Sequence, residues 1–110
     1  MLESAHDVLS CLGPGLSECT YQNALCEALR LQGLIVEREV IIPVRYERIF
    51  CGFIRADVIV DKSLCLELKA KASLTPSDRV QAATYMKHNS ELTQCLLLNF
   101  GAEISSVLLP

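Results

Sequence analysis

The chain contains no long apolar run, no signal-peptide pattern and no excess of positive charge. No apolar stretch approaches the ~18 residues of a membrane-spanning helix. The N-terminal residues 1–7 lack the basic start and apolar core of a signal peptide, so we expect a cytoplasmic or otherwise intracellular protein. The formal net charge of −3 argues against broad electrostatic binding to nucleic acid but leaves room for a local basic rim.

Cysteine pairs with zinc-site spacing are missing as well. The six cysteines stand at positions 11, 19, 26, 51, 65 and 95, and none forms a C-x-x-C pair. The even number of cysteines and the small size of the chain suit a disulfide framework, but such frameworks are found in secreted proteins. We therefore expect reduced cysteines that behave as small apolar residues.

The composition that remains is typical of one ordered globular domain. Apolar residues make up 51% and charged residues 21% of the 110 positions, enough for a modest core. No repeat, linker or low-complexity segment interrupts the chain, so residues 1–110 are predicted to form a single domain.

Apolar periodicity and turn signals predict the order of the elements. Gly13-Pro14-Gly15 ends a first helix, Ser17 is a plausible cap for a second, and Thr75-Pro76 begins a third. Pro43 marks the end or a kink of the first strand, and a turn is expected at Glu47-Arg48. The predicted helices cover about 2–12, 17–33 and 75–88, and the predicted strands cover 34–42, 44–46, 50–53, 54–60, 64–70, 94–100 and, as a short last one, 104–109.

The segments around Asp57 and Glu67 form the most informative pattern, a hairpin with charged side chains in apolar strands. Because side chains alternate faces, Ile54, Ala56, Val58 and Val60 are predicted to share one face. A three-residue loop at 61–63 pairs Val60 with Leu64 and places Asp57 opposite Glu67, on the other face from the apolar set. Two carboxylates at ~5 Å repel, so one is protonated or a cation lies between them.

Lys69 is one candidate for that cation, and a divalent metal is the other. Mg²⁺ binds through one or two carboxylates together with substrate phosphate and water, and lowers the pKa of a bound water. With such an ion at Asp57 and Glu67, Lys69 could orient the attacking water or contact the phosphate. A solvated hairpin face explains the same three charges without any function, because charged outer faces are common.

Three further polar residues share helix faces that could turn toward this hairpin. Glu18 precedes Tyr21 by three positions, which aims its carboxylate toward the sheet, although a first-turn Glu also complements the helix dipole. Gln81 and Tyr85 are four residues apart on the third helix and could hold a phosphate or a water. An ordinary helix surface with one buried ring is the alternative interpretation.

Taken together, these residues resemble the GxxExxY family of the PD-(D/E)xK nuclease superfamily. The segment 15–21, Gly-Leu-Ser-Glu-Cys-Thr-Tyr, matches the motif that names the family. Phe53–Asp57 and Leu66–Ala70 match its hairpin, and Gln81-x-x-x-Tyr85 resembles the QxxxY motif of RecB-type nucleases. The blocks follow in the right order over nearly the whole chain. The turn at residues 47–48 departs from the family pattern, because it lacks the glycine often seen there.

The resemblance implies an α+β fold and a role for each residue. The fold is a restriction-endonuclease-like αβββαβ core with a mixed central sheet flanked by helices. Asp57 and Glu67 are implied as ligands of Mg²⁺ or Mn²⁺, completed by Glu18, and Lys69 is implied to activate or position water. Gln81 and Tyr85 are implied to support substrate phosphate or water. No iron–sulfur cluster is expected, because only Cys95 follows position 65.

Two functions from different classes remain. The first is a metal-dependent nuclease that hydrolyses phosphodiester bonds of DNA, or alternatively of RNA. The second is a non-catalytic binding or regulatory module that keeps the nuclease fold and acts through a partner; acidic net charge and small size favour it. A homodimer that uses an exposed sheet edge is compatible with either.

Overall fold

The computed structural model describes every residue from Met1 to Pro110 and arranges them as three helices around one five-stranded sheet. From the second helix to the fourth strand the order is the predicted αβββαβ, in a mixed sheet flanked by helices, which confirms the fold class. None of the helices is both long and apolar enough to cross a membrane. The elements are α1 (Leu2–Leu12), α2 (Glu18–Leu31), β1 (Val36–Tyr46), β2 (Ile49–Val60), β3 (Leu64–Lys69), α3 (Pro76–His88), β4 (Gln94–Phe100) and β5 (Ile104–Leu109).

The sheet has the spatial order β1-β2-β3-β4-β5, and only β3 and β4 are parallel neighbours. A parallel pair cannot be joined by a tight turn, so α3 crosses over between these two strands. The carboxyl ends of both strands therefore lie side by side, where Lys69 pairs with Asn99. The chain leaves β3 at this end of the sheet and continues to the start of α3.

Two apolar clusters cover the two faces of the sheet. One joins α1 and α2 to inward residues such as Leu66, Leu98 and Phe100, and the other joins α3 to Ile59, Cys65 and Leu97 among others. Successive residues of β3 thus alternate between the clusters, as the pleat requires. Because Cys65 lies on the α3 side, Glu67 and Lys69 face α3 as well.

The helix starts follow the predicted caps. The Ser17 hydroxyl accepts a hydrogen bond from the Thr20 N–H at 3.3 Å. Thr75 and Asp78 form a reciprocal capping box at the start of α3, with Pro76 as the first helical residue. Asp78 also forms an ion pair with Lys71, whose Nζ lies 2.8 Å from Oδ2. The start of α3 is therefore tied to the segment that leaves β3.

We expect the Asp78→Asn substitution to lower the free energy of unfolding at neutral pH. The free energy of unfolding of the variant should also change less as the pH falls. The hydrogen bond from Lys71, followed by that from the Thr75 backbone, lowers the pKa of Asp78 from 3.8 to about 2. A depressed folded-state pKa contributes stability above the unfolded pKa near 4, and this contribution disappears as the pH falls toward about 2. Urea unfolding of both proteins between about pH 2 and 7 measures this.

The difference between wild-type and Asp78→Asn midpoints should be largest above about pH 4 and should close toward about pH 2. Asp7→Asn is a control for the loss of one charge, because Asp7 is exposed on α1 and forms no hydrogen bond or ion pair through its side chain. A constant difference across the whole pH range would contradict the role given to Asp78.

The first hairpin is longer than the sequence pattern predicted. β1 continues through Pro43 to Tyr46, and β2 runs without a break from Ile49 to Val60, so residues 44–46 and 50–53, predicted to flank the turn, belong to these two long strands. The predicted turn at residues 47–48 is present. Pro43 pairs with Phe53 and is tolerated because β1 is an edge strand, where a missing N–H costs least.

The apolar side chains of β2 do not share one face, which corrects the predicted alternation. Ile54 and Ala56 pack with the α3 cluster, whereas Val58 and Val60 pack with the α1–α2 cluster. The change occurs at Asp57, where the β1–β2 ladder skips one residue pair. The residue skipped on β1, Glu39, has φ +50°, a left-handed conformation that breaks the regular pleat.

Candidate active site

The predicted hairpin register is confirmed, and the strands separate at the acidic pair. Val60 pairs with Leu64, but the ladder ends at Val58 and Leu66, one step before Asp57 and Glu67 would be paired. Asp57 fills the gap with its side chain, because Oδ2 accepts a hydrogen bond from the Leu68 N–H at 2.9 Å. Asp57 is therefore held by the backbone of the strand that carries Glu67.

Glu67 is a buried acid, with 2% of its surface exposed. The Tyr85 hydroxyl donates a hydrogen bond of 2.7 Å to its Oε2. Burial raises the pKa of Glu67 to about 9, and the adjacent Asp57 adds to this by hydrogen bonding to the protonated form and by its charge. Burial and the neighbouring Asp57 thus both favour the protonated form of the Glu67 carboxyl group.

Lys69 lies two residues beyond Glu67 on the same strand and is half-buried. Its Nζ donates a hydrogen bond of 2.8 Å to Oε1 of Gln81. Two residues along a strand span about 6.6 Å, and four residues along a helix span about 6 Å. The distance from Glu67 to Lys69 along β3 therefore matches that from Tyr85 to Gln81 along α3. Gln81 and Tyr85 therefore reach Lys69 and Glu67 respectively, and the structure brings together five of the six predicted site residues.

Glu18 is the sixth, and the structure does not bring it into this group. It begins α2 as an exposed first-turn residue. No cluster of three or more His, Cys, Asp and Glu side chains is close enough to hold a metal ion. The carboxylates that converge are thus those of Asp57 and Glu67, and a metal-binding role for Glu18 stays a prediction.

The tyrosine of the G-x-x-E-x-x-Y segment has a structural position. Tyr21 is fully buried, and its ring stacks on Phe100 with centroids 4.6 Å apart and an interplanar angle of 8°. Its hydroxyl donates to the Gly13 carbonyl at 2.6 Å and accepts from the Leu16 N–H at 3.1 Å. The loop before α2 is therefore fastened to the end of β4.

Gln22 is a buried contact of the site that the sequence analysis missed. Its Nε2 donates a long hydrogen bond of 3.4 Å to the Asp57 carbonyl, and only 6% of the residue is exposed. The available signal was a polar residue four positions before the buried Cys26, on the stripe of α2 that packs against the sheet. Gln22 links α2 to the irregular point of β2.

Asn99 is the second missed contact, and it braces the strand end that carries Lys69. The residue is 1% exposed within the apolar run of β4. Its Oδ1 accepts from the Lys71 N–H at 3.0 Å, and its Nδ2 donates to the Lys71 carbonyl at 2.9 Å. A polar residue inside a continuous apolar strand was the signal for this contact.

The residue types and the order of these elements agree with a comparison against protein families. A family model described as the PD-(D/E)XK nuclease superfamily matches residues 1–107. The chain belongs to the PD-(D/E)XK nuclease superfamily. The chain carries an E-x-K pattern at Glu67-Leu68-Lys69 on β3, and Asp57 lies on the neighbouring strand β2.

Comparisons with individual proteins add one distant structural relative. The crystal structure of an alkaline exonuclease (LHK-Exo) from Laribacter hongkongensis is similar at 14% sequence identity, with a TM-score of 0.46. The alignment covers 98% of this chain and 67% of that chain. No curated protein matches the chain.

The donor set of this PD-(D/E)XK site fits a divalent cation. Superfamily members generally use such ions, and hard cations such as Mg²⁺ prefer carboxylate oxygens. Asp57 and Glu67 supply these oxygens from two neighbouring strands, and a carboxyl group that binds a cation must be deprotonated. One or two protein carboxylates suffice when substrate phosphate and water complete the coordination.

Proposed function

We propose that this PD-(D/E)XK chain is a metal-dependent nuclease that hydrolyses phosphodiester bonds of DNA. The observation that supports this most is the meeting of the Asp57 and Glu67 carboxylates where β2 and β3 separate, with Lys69 beside them. Burial of Glu67 beside Asp57 raises the pKa of the Glu67 carboxyl group, so a nearby positive charge would be favoured there. The ion proposed there is Mg²⁺ or Mn²⁺.

Asp57 and Glu67 are the proposed ligands, and the ion supplies Lewis-acid stabilisation of the phosphate together with acidification of a bound water. Asp57 is fixed by its bond to the Leu68 N–H, so its carboxylate needs little reorganisation when substrate arrives. Tyr85 donates to Glu67 and sets the orientation of that carboxylate. These contacts support a preorganised site.

Lys69 is the proposed water-positioning and phosphate-contacting residue. Its ammonium group is held by Gln81 within the same row of side chains as Glu67. The lysine ammonium group has three N–H donors, and one of them bonds to Gln81. The other two are free to donate to a water or to a phosphate oxygen. Gln81 is proposed to keep the amine aimed at the acids, as Tyr85 does for Glu67.

Cleavage assays with Lys69→Met test this proposal. We expect Lys69→Met to lower the rate of metal-dependent cleavage by about 10²-fold or more, because a positioned proton-transfer or phosphate group contributes on that scale. Lys87→Met is the matched control, because Lys87 is exposed in the last turn of the same helix that carries Gln81 and Tyr85. Rates are measured on DNA and on RNA of the same sequence with Mg²⁺ or Mn²⁺.

The outcomes separate the candidate functions. Equal cleavage by Lys69→Met and Lys87→Met would refute the role of Lys69. Faster cleavage of RNA than of DNA would replace the proposed substrate. Metal binding by the wild-type chain without cleavage of any nucleic acid would favour the non-catalytic module that acts through a partner.

A further inference from the structure

The outer half of the first hairpin, residues 40–56, projects exposed aromatic side chains, and we name it the arm. Tyr46, Phe50 and Phe53 are 70%, 56% and 63% exposed. They are the chain's only exposed aromatic residues, because Tyr21, Tyr85 and Phe100 are buried in the two clusters. Exposed rings concentrated on one hairpin indicate a binding surface rather than a scatter of surface residues.

Strand pairing places two of these rings on one face. Pro43 pairs with Phe53, and Arg45, two residues further on β1, pairs with Phe50. The register shift between Val44 and Arg45 inserts one extra residue in β2, which allows Phe50 and Phe53 to share a face although they are three positions apart. The Arg45 guanidinium lies over the Phe50 ring, 5.9 Å from its centroid, which agrees with this arrangement.

The arm carries positive charge in a chain that is acidic overall. It contains three arginines, 45, 48 and 55, and one acidic residue, Glu47, for a net charge of +2, whereas the whole chain carries −3. Of these arginines only Arg55 forms an ion pair, a long contact of 3.9 Å with Glu39 in which both side chains are more than half exposed. The guanidinium groups are therefore available to an anionic partner.

The inner end of the arm reaches the candidate active site. Arg55 is two residues from Asp57 and pairs with Ile41 across the hairpin. Together with Ile54, Gln81, Thr84 and Tyr85 it lines a cleft of about 230 Å³. Gln81 and Tyr85 bond to Lys69 and Glu67, so this cleft lies between the inner end of the arm and the residues that contact the site.

We propose that the arm binds single-stranded nucleic acid and leads it to the acids at Asp57 and Glu67. Unstacked bases pack on Phe50 and Phe53, and the backbone phosphates contact Arg45 and Arg55. Exposed rings interleaved with arginines are the features with which proteins hold single strands without sequence preference. The inference deepens the proposed nuclease function and rests on it for the path of the strand, but binding can be measured without cleavage.

Charge favours this partner over a second copy of the chain. The cores of protein interfaces are depleted in charged residues, whereas the arm alternates rings with guanidinium groups. Two identical arms facing each other would also bring arginines of like charge together. A duplex is disfavoured because its bases are already stacked and have no faces free for Phe50 and Phe53.

A single tryptophan on the arm tests the proposal directly. The chain contains no tryptophan, so Phe53→Trp introduces one indole whose fluorescence reports only on the arm. We expect an oligothymidylate to quench this fluorescence in EDTA, where no cleavage occurs, and the same sequence in a duplex to quench it far less. Leu31→Trp is the control, because Leu31 is 80% exposed on α2; its fluorescence should not change.

Binding measured by fluorescence anisotropy of a labelled oligothymidylate separates the contributions. We expect Phe50→Ala/Phe53→Ala to weaken binding about tenfold. Each of Arg45→Ala and Arg55→Ala should reduce the slope of log affinity against log salt by about 0.7. Arg30→Ala is the matched control, because Arg30 is exposed in the last turn of α2 and lies outside the arm; it should bind the probe like the wild type.

Several results would overturn the inference, each in a distinct way. Equal quenching of the tryptophans at 53 and 31, or no quenching of either, removes the arm as a binding surface. Light scattering that shows dimers abolished by the Phe50→Ala/Phe53→Ala variant assigns the arm to self-association. Cleavage without quenching rejects the arm but keeps the nuclease, and quenching without cleavage in Mg²⁺ rejects the nuclease but keeps the arm.

Discussion

Asp57→Asn is expected to lower metal-dependent cleavage by about a thousandfold or more while the protein stays folded. A catalytic cation contributes several kcal/mol to the barrier, and each 1.4 kcal/mol corresponds to about tenfold in rate. The amide oxygen of asparagine still accepts a hydrogen bond from the Leu68 N–H, so the hairpin keeps its closure. The loss therefore falls on ion binding, and titration with Mn²⁺ should show it directly.

Asp61→Asn is a matched control for this experiment. Asp61 also accepts a backbone hydrogen bond with its side chain, from the Ile35 N–H at 2.9 Å, but it lies in the loop at the far end of the same hairpin. We expect this variant to keep the cleavage rate of the wild type. A similar loss in both variants, or none in either, would contradict the role of Asp57 as a ligand.

Tyr21→Ala is expected to cost about 3–5 kcal/mol of the free energy of unfolding, the range for removing a large buried ring. The substitution removes the stacked partner of Phe100 and the hydroxyl that holds Gly13 and Leu16. Tyr21→Phe keeps the ring and loses only the hydroxyl contacts, so its cost should be about 1–2 kcal/mol. Urea unfolding measures both.

Tyr46→Ala provides the same chemical change without burial. Tyr46 is 70% exposed at the end of β1, so its truncation should change the free energy of unfolding by no more than about 0.5 kcal/mol. A cost for Tyr21→Ala close to that of Tyr46→Ala would mean that the loop before α2 does not depend on the buried ring.

Local signals were sufficient for the helices, the caps and the hairpin register. Ser17 and Thr75 have side chains that bond to nearby backbone N–H groups, so neighbours in sequence decide those helix starts. A loop of three residues fixes the pairing of Val60 with Leu64, and from it the meeting of Asp57 with Glu67 follows. Residues distant in sequence are not needed to predict these helix starts or this strand pairing.

Contacts between distant segments account for what the sequence did not predict. Pro43 ends a strand in most contexts, and its tolerance here depends on β1 being the sheet edge, which only the assembled sheet defines. The β1–β2 ladder is interrupted where Glu39, with φ +50°, lies across from Asp57 of another strand. Gln22 and Asn99 find their partners 35 and 28 residues away, so their roles depend on packing.

The hydrogen bond between the Asp57 side chain and the Leu68 amide makes one backbone proton a sensor of the proposed metal site. An amide held by a carboxylate exchanges slowly with deuterium, and exchange accelerates when that carboxylate turns away. If the ion draws Asp57 off the amide, loading the site would speed exchange at Leu68; if Asp57 serves both at once, exchange would slow. The rate of deuterium exchange at the Leu68 amide therefore reports whether the ion binds at Asp57.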